Sequence, residues 1–419
     1  MTPTNNINQL VDHLFRHESG KMVSVLSRLV GLQNIETAQD IVQDTLLQAM
    51  STWSFGGVPE NPPAWLHRVA RNKAIDYLRR EKRFREISPQ YSRLLQSEYS
   101  LSTFVSQLFL ENEIEDSQLR MIFACCHPSI PEDSQIAFVL KTLCGLSVNE
   151  IAKAYLTNEE TIAKRIYRAR EKIRSESIQL EVPQGQDLPG RLDVVLKSVY
   201  LLFNEGYNSS QPDLLIRDDL CAEALRLCYL LSEHPLTNHS QTHALMALLC
   251  FQSSRLQSRL DEKGRIILLQ NQVRTQWNRD LIRRGFYYLD TATDDNTVTK
   301  YHFEAAIASI HAAALSFEQT DWKSIYHLYD AYYQLEPGPI VALNKAIASA
   351  YAISRENALK ELLQIKGLEQ YYLYYASTGE MYFELNKKQE AKKFFERACS
   401  LTTSLIEQQL LQEKINQCN

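Results

Sequence analysis

Glycine and proline are scarce, 13 of each in 419 residues, well below the ordinary usage of about 7% and 5%. Few helix breakers and few tight-turn residues argue against a turn-rich sheet protein and for a chain that is almost entirely helical. The eight cysteines show no CxxC spacing. Their one cluster, Cys125-Cys126-His127, lacks a second ligand pair at zinc-site distance, so reduced buried thiols are expected and a metal is not. No run approaches 18 apolar residues, and Met1 to Ser19 is polar, so neither a membrane span nor a secretory signal is expected and the location is read as cytoplasmic. A P-loop, a Gly-rich dinucleotide turn, HExxH and GxSxG are all missing, which leaves little room for an enzyme and calls for no cofactor.

What is present is 44% apolar and 23% charged residues with a net charge of −5, a globular composition long enough for two to four domains. The charge is segregated. From Ala64 to Glu86 eight Lys/Arg face three Asp/Glu. On a helix at about 100° per residue, Leu66, Ala70, Ala74, Tyr77 and Leu78 fall on a core-facing side. Trp65, Arg68, Asn72, Asp76, Arg79 and Arg83 share the opposite face, with Arg71 and Arg80 beside them. Cations for phosphates, a ring to stack on an unstacked base and an amide for a base edge suit melted nucleic acid. A solvated basic helix fits the composition equally well.

Upstream, Asp40, Asp44 and Gln48 recur at i, i+4 and i+8. Downstream, two capping boxes, Ser147 with Glu150 and Thr157 with Glu160, open two helices about three residues apart. The second helix, Thr161 to Arg174, carries six Lys/Arg and one Glu. This is a helix-turn-helix pattern, with Ile162, Ile166, Ala169 and Ile173 turned inward and Thr161, Lys164, Arg165 and Arg168 placed for a major groove.

Asn72-Lys-Ala-Ile-Asp-Tyr-Leu-Arg-Arg80 after Trp65-Leu-His-Arg-Val-Ala-Arg71, preceded by Ala38-Gln-Asp-Ile-Val-Gln-Asp-Thr45, resembles the bacterial extracytoplasmic-function sigma factors of RNA polymerase. The resemblance implies that Asp40, Gln43, Asp44 and Gln48 meet the polymerase clamp helices. It implies that Trp65, Arg68, Arg71, Asn72, Asp76, Arg79, Arg80 and Arg83 read and melt the minus-ten element. It also implies that Thr161, Lys164, Arg165 and Arg168 read the minus-35 element in the domain that joins the polymerase flap. Most such factors have a small residue where this chain has Glu160. Carboxylates there repel phosphates, so contact is expected from Lys164 onward.

The expected organisation is all-α. Residues 1–88 form a domain for polymerase and the minus-ten element, 89–112 a linker that the resemblance threads towards the polymerase channels, and 113–178 the helix-turn-helix domain. Residues 179–190 are a second linker, and 191–419 a helical extension. Gly379, Tyr382, Ala391, Phe395 and Ala398 fit the tetratricopeptide template, and Ala346, Ala358 and Leu362 precede three of them by 33 residues. Val199 to Tyr207, Asp219 to Arg226 and Asp261 to Arg274, with Ala124-Cys-Cys-His-Pro128, resemble the sigma subgroup that carries such an extension. Its Asp-Gly-Gly-Arg signature stands here as Asp261-Glu-Lys-Gly264-Arg265. Asn204, Glu205, Tyr207, Asp261, Gly264 and Arg265 are the expected contacts through which the extension regulates the sigma domains. The expected partners are core polymerase, promoter DNA and the chain's own extension. Two rivals stay open, a helix-turn-helix regulator with a helical sensor domain and a helical-repeat scaffold that binds nucleic acid.

Overall fold

A computed structural model describes residues 3–80, 98–155, 157–183, 185–209, 212, 214–293 and 297–419. Apolar residues at helical spacing, rarely interrupted, yield nineteen helices among the described residues. The one β contact there is an isolated bridge, Leu260 to Ile266. Two compact units emerge, residues 1–202 with 222–231, and residues 203–221 with 232–419.

In the first unit α1 (Pro3–Val30), α2 (Ile35–Gly56) and α3 (Pro62–Arg80) pack against one another. The apolar stripe of α3 is Leu66, Ala70, Ala74, Ile75 and Leu78; Tyr77, expected in that stripe, is half-buried, and Ile75 takes its place. The stretch expected as a linker contains a helix, α4 (Glu98–Leu108), packed on α3, with Val105 and Leu108 buried. Its apolar pattern is short and broken by serines, so periodicity alone underrates it.

Next come α5 (Glu111–Cys125), α6 (Glu132–Thr142), α7 (Val148–Ala154) and α8 (Glu159–Ser175). These are not set apart from α1–α3, because α1 lies along α5. A Cβ on Gly20 would sit 2.1 Å from the Leu143 carbonyl oxygen, so only glycine lets α1 approach this closely. Arg28 on α1 reaches Glu113 at 3.0 Å, Asp116 at 3.2 Å and Ser117 Oγ at 3.0 Å.

Helix α9 (Leu188–Tyr207) begins where a linker ends, yet the first unit continues through Leu202. Buried Arg191 donates to the Phe123 carbonyl and lies over that ring. That contact ties the start of α9 to the Ala124-Cys-Cys-His-Pro128 block. The change of unit therefore falls inside α9, a long-range outcome that proline and glycine punctuation does not report. Helix α10 (Asp218–Glu233) follows.

The second unit stacks helical hairpins. Buried α11 (Ser240–Ser253) packs on α12 (Arg279–Thr291) and α13 (Lys300–Ala313). Helices α14 (Trp322–Leu335), α15 (Pro339–Ala352) and α16 (Arg355–Leu362) succeed them, then α17 (Tyr372–Glu384), α18 (Lys388–Leu401) and α19 (Leu405–Gln417), each packed on the next. Ala391, Phe395 and Ala398 are buried as the repeat pattern requires, and α19, absent from the sequence expectation, covers them with Leu411 and Ile415. Between α11 and α12 the chain runs without an α-helix through residues 254–278, making three short 3-10 turns.

Candidate nucleic-acid interface

Helix α3 presents Arg68, Asn72, Asp76, Arg79 and Arg80 to solvent. Asp76 accepts from Arg79 at 3.4 Å, a contact between exposed groups that is worth little and leaves the row adaptable. Trp65 is half-buried, its ring edge-on to buried Trp53 at 5.4 Å. Arg71 turns off this row, half-buried and donating to Ser106 Oγ on α4 at 3.4 Å. Arg83 lies outside the described residues. Behind the row, His67 Nε2 meets Glu18 Oε2 at 2.9 Å and Lys21 meets Glu18 at 2.8 Å. Burial on its own would raise the Glu18 pKa, but the hydrogen bonds from His67 and Lys21 and their charges hold it below the usual carboxylate range.

Asp40, Gln43, Asp44 and Gln48 are all exposed on α2, while Ile41, Thr45 and Ala49 are buried. The same helix exposes apolar groups that charge patterning overlooks: Leu47 at 55%, Met50 at 36% and Phe55 at 93%. Exposed large apolar side chains beside acidic ones are a pattern common to interaction surfaces. The spacing of Leu47 to Asp40 and Asp44 would have found it.

The helix-turn-helix is α7 and α8. Ser147 and Glu150 form their reciprocal cap, with Ser147 N–H on Glu150 at 2.7 Å and Glu150 N–H on Ser147 Oγ at 3.1 Å. The second cap differs from the expected Thr157 box. Asn158 is the N-cap, accepting from Thr161 N at 2.8 Å, because helical geometry begins one residue later. Ile162, Ile166, Ala169 and Ile173 are buried.

Lys164 and Arg168 are exposed, Thr161 is half-buried, and Tyr167, 64% exposed, joins them on the outer face. Lys164 pairs with Glu160 at 2.7 Å. Arg165 points back to α6, where it meets Asp133 at 2.9 Å and lies over the Tyr155 ring. Farther along α8, Arg170 donates to Gln39 at 3.0 Å, and Arg174 lies 3.5 Å from Glu36. The basic helix thus rests on the first turn of α2.

Cys125 and Cys126 are both buried. Burial raises the Cys126 thiol to about 12 and the Cys125 thiol well above its ordinary value, and no three candidate ligands gather around a metal-sized space among the described residues.

In the second unit, the Asp261-to-Arg265 signature is a closed turn. Asp261 N–H donates to the Arg265 carbonyl at 2.9 Å and Gly264 N–H to the Asp261 carbonyl at 2.9 Å. Gly264 has φ +76, a backbone that glycine adopts without strain. The Asp261 carboxylate accepts from Lys263 N–H and Arg265 N–H, both at 2.9 Å, and from Arg265 Nε at 2.7 Å. Those bonds, the one from Arg265 N–H first, hold its pKa below the usual range. Arg274, 4% exposed, pins the far end of the segment by donating to the His311 carbonyl and stacking over Trp277; burial first, then the nearby Arg255 charge, lowers it to about 10. Asn204 is exposed, Glu205 is buried, and Tyr207 is half-buried beneath the Arg259 guanidinium.

Comparison with known proteins bears on these surfaces. The family model "Sigma-70 region 2" matches residues 14–84 and "Sigma-70, region 4" matches 120–173. A family of unknown function (DUF6596) matches 191–293. "Uncharacterized protein R00370" of Rhizobium meliloti is 35% identical over 378 residues, 90% of this chain and 88% of that protein. The "ECF RNA polymerase sigma-E factor" of Haemophilus influenzae is 33% identical over 159 residues, 36% of this chain and 79% of that factor. Its counterpart of Escherichia coli is 32% identical over 155 residues, 36% of this chain and 78% of that factor. No solved structure matches the chain.

Proposed function

The chain belongs to the extracytoplasmic-function (ECF) sigma factors of RNA polymerase, and from that premise we propose how its surfaces divide the work. It is an alternative sigma factor, a partner of core polymerase and promoter DNA in transcription initiation. Among its described residues no helix is long and apolar enough to cross a membrane. The site of action we propose is the cytoplasm, where polymerase works.

In our reading the exposed face of α2, with Asp40, Gln43, Asp44, Gln48 and Leu47, docks on the clamp helices. Acidic and amide groups there select basic side chains and Leu47 supplies apolar contact. The row Arg68, Asn72, Asp76, Arg79 and Arg80 on α3 holds the melted minus-ten strand, with Asn72 at a base edge and the arginines on phosphates. The outer face of α8 enters the minus-35 major groove through Lys164, Tyr167 and Arg168. Arg165 and Arg71 serve as struts that fix the reading helices on α6 and α4.

One observation carries the reading: two basic helices, each with its apolar side buried and its polar side in solvent, stand in one chain beside an exposed acidic-apolar helix. Elements about 25 base pairs apart span roughly 85 Å of duplex. A compact unit of about 210 residues is roughly 45 Å across. The α1–α5 and α2–α8 contacts must therefore open when the factor engages polymerase and promoter. The second unit, tethered at an effective concentration in roughly the millimolar range, tunes this step in cis.

The test is transcription by the purified full chain with core polymerase on a promoter library, with start sites mapped. Start-site-specific, polymerase-dependent transcripts are expected. Operator binding without polymerase would instead mark a helix-turn-helix regulator, and promoter-independent RNA binding a scaffold.

A further inference from the structure

The second unit forms a half-open cavity of about 620 Å³ between the 259–270 segment and helices α14, α15, α17 and α19. That volume lies in the range of small-ligand sites, about 300–1,000 Å³. Its walls are mainly aromatic and aliphatic, with Trp322, Tyr351, Tyr372 and Leu411 prominent. Trp322 and Tyr351 stack at 4.4 Å, which makes one wall rigid.

The polar groups at the cavity are unequal. Glu380 is neutralised by Lys414 at 2.8 Å. Glu407 accepts hydrogen bonds from Tyr372 and Thr402. Arg259 differs. It lies 3.8 Å above the Tyr207 ring and donates to the Tyr207 carbonyl, and among the described residues it has no carboxylate partner. Burial first, then the nearby Arg255 charge, lowers its pKa, and Tyr207, Cys221 and Tyr372 oppose the shift. A guanidinium partly withdrawn from water and lacking a paired carboxylate is better satisfied when an anion completes it. Its planar fork suits a carboxylate.

We propose that this cavity binds a small amphipathic organic acid, its apolar body against the Trp322–Tyr351 wall and its carboxylate on Arg259. The repeat unit is then a ligand-binding module carried by a sigma factor. The 259–270 segment, closed at one end by the Asp261–Arg265 turn, forms one wall of the site. This gives the turn a structural role in shaping the pocket.

The test uses the full chain without polymerase or promoter, so its outcome is separate from that of promoter recognition. Naphthylacetate and decanoate are titrated by calorimetry, each against its neutral alcohol, naphthylethanol and decanol. At least one acid is expected to bind about tenfold or more tightly than its alcohol, the preferred pair reporting an aromatic or an aliphatic body. Arg259→Gln should abolish that preference while leaving alcohol binding in place, and Arg259→Lys should restore part of it. Ala376→Trp, which fills the cavity from α17, should abolish binding of acid and alcohol alike and decides the matter should Arg259→Gln fail to fold. Failure of both acids to bind at millimolar concentration, equal binding of acid and alcohol, or unchanged binding by Ala376→Trp would each overturn the proposal.

Discussion

Replacing Arg28 by alanine tests whether the two DNA-reading parts are held as one body. Arg28, with a side chain 16% exposed, contacts Glu113, Asp116 and Ser117 across the α1–α5 interface. The acids are about one-third exposed, 36% and 33%, so water screens both pairs and each contributes only about 0.2–1 kcal/mol. Loss of the apolar stem adds a little more. Asp116 keeps Arg120 at 2.8 Å and Ser117 keeps its bond to the Glu113 carbonyl at 2.6 Å, so the variant strands no buried charge. The sum is about 1–2 kcal/mol. For a unit of about 210 residues that lowers Tm by roughly 3–6 °C. It also raises the open fraction by about 5- to 30-fold at 25 °C.

Differential scanning calorimetry and amide hydrogen exchange over α1 and α5 measure these effects. If closure opposes promoter engagement, transcription at limiting factor should rise in the same variant. The charge swap Arg28→Glu with Glu113→Arg should recover part of the loss. A Tm unchanged to within about 1 °C, with exchange in α1 and α5 as in the wild type, would refute the role given to this interface.

Asn72→Ala removes the one amide of the exposed α3 row. Promoter opening should fall, with polymerase binding spared and preference changed at one minus-ten base, and a wild-type profile across minus-ten variants in run-off transcription would sink its reading role. Asp40→Lys with Asp44→Lys puts two cations against a basic partner at a cost of several kcal/mol, so core polymerase should no longer co-purify while circular dichroism stays unchanged. Leu47→Asp should weaken the same binding, since it buries a charge where an apolar contact is expected. Glu18 has a folded pKa below its unfolded one, so its contribution is present above the carboxylate range and lost as pH falls through it. Glu18→Gln should accordingly be less stable than wild type at neutral pH and converge with it in acid, and a stability gap that persists at low pH would contradict the assignment.

Much of the site was legible because helical periodicity is local. Leu66, Ala70, Ala74 and Leu78 announce a buried side by spacing alone, which leaves Arg68, Asn72, Asp76 and Arg79 in solvent whatever the rest of the chain does. Ile162, Ile166, Ala169 and Ile173 do the same for α8, and Ala391, Phe395 and Ala398 for the repeat hairpin. A side chain's face on its own helix is thus encoded within four residues, but its partner is not. Arg71 and Ser106, Arg165 and Asp133, and Arg28 and Glu113 lie 35, 32 and 85 positions apart, and no pattern in the chain pairs them. Only the packing of helices gave Arg71 and Arg165, both expected to face DNA, the partners Ser106 and Asp133. It placed the end of α6 against Gly20 and laid α8 on the first turn of α2. It also brought Arg259, Trp322 and Tyr351 to the lining of one cavity. Burial on one helix follows from local spacing, whereas a cavity or a closed interface exists only once separate helices meet.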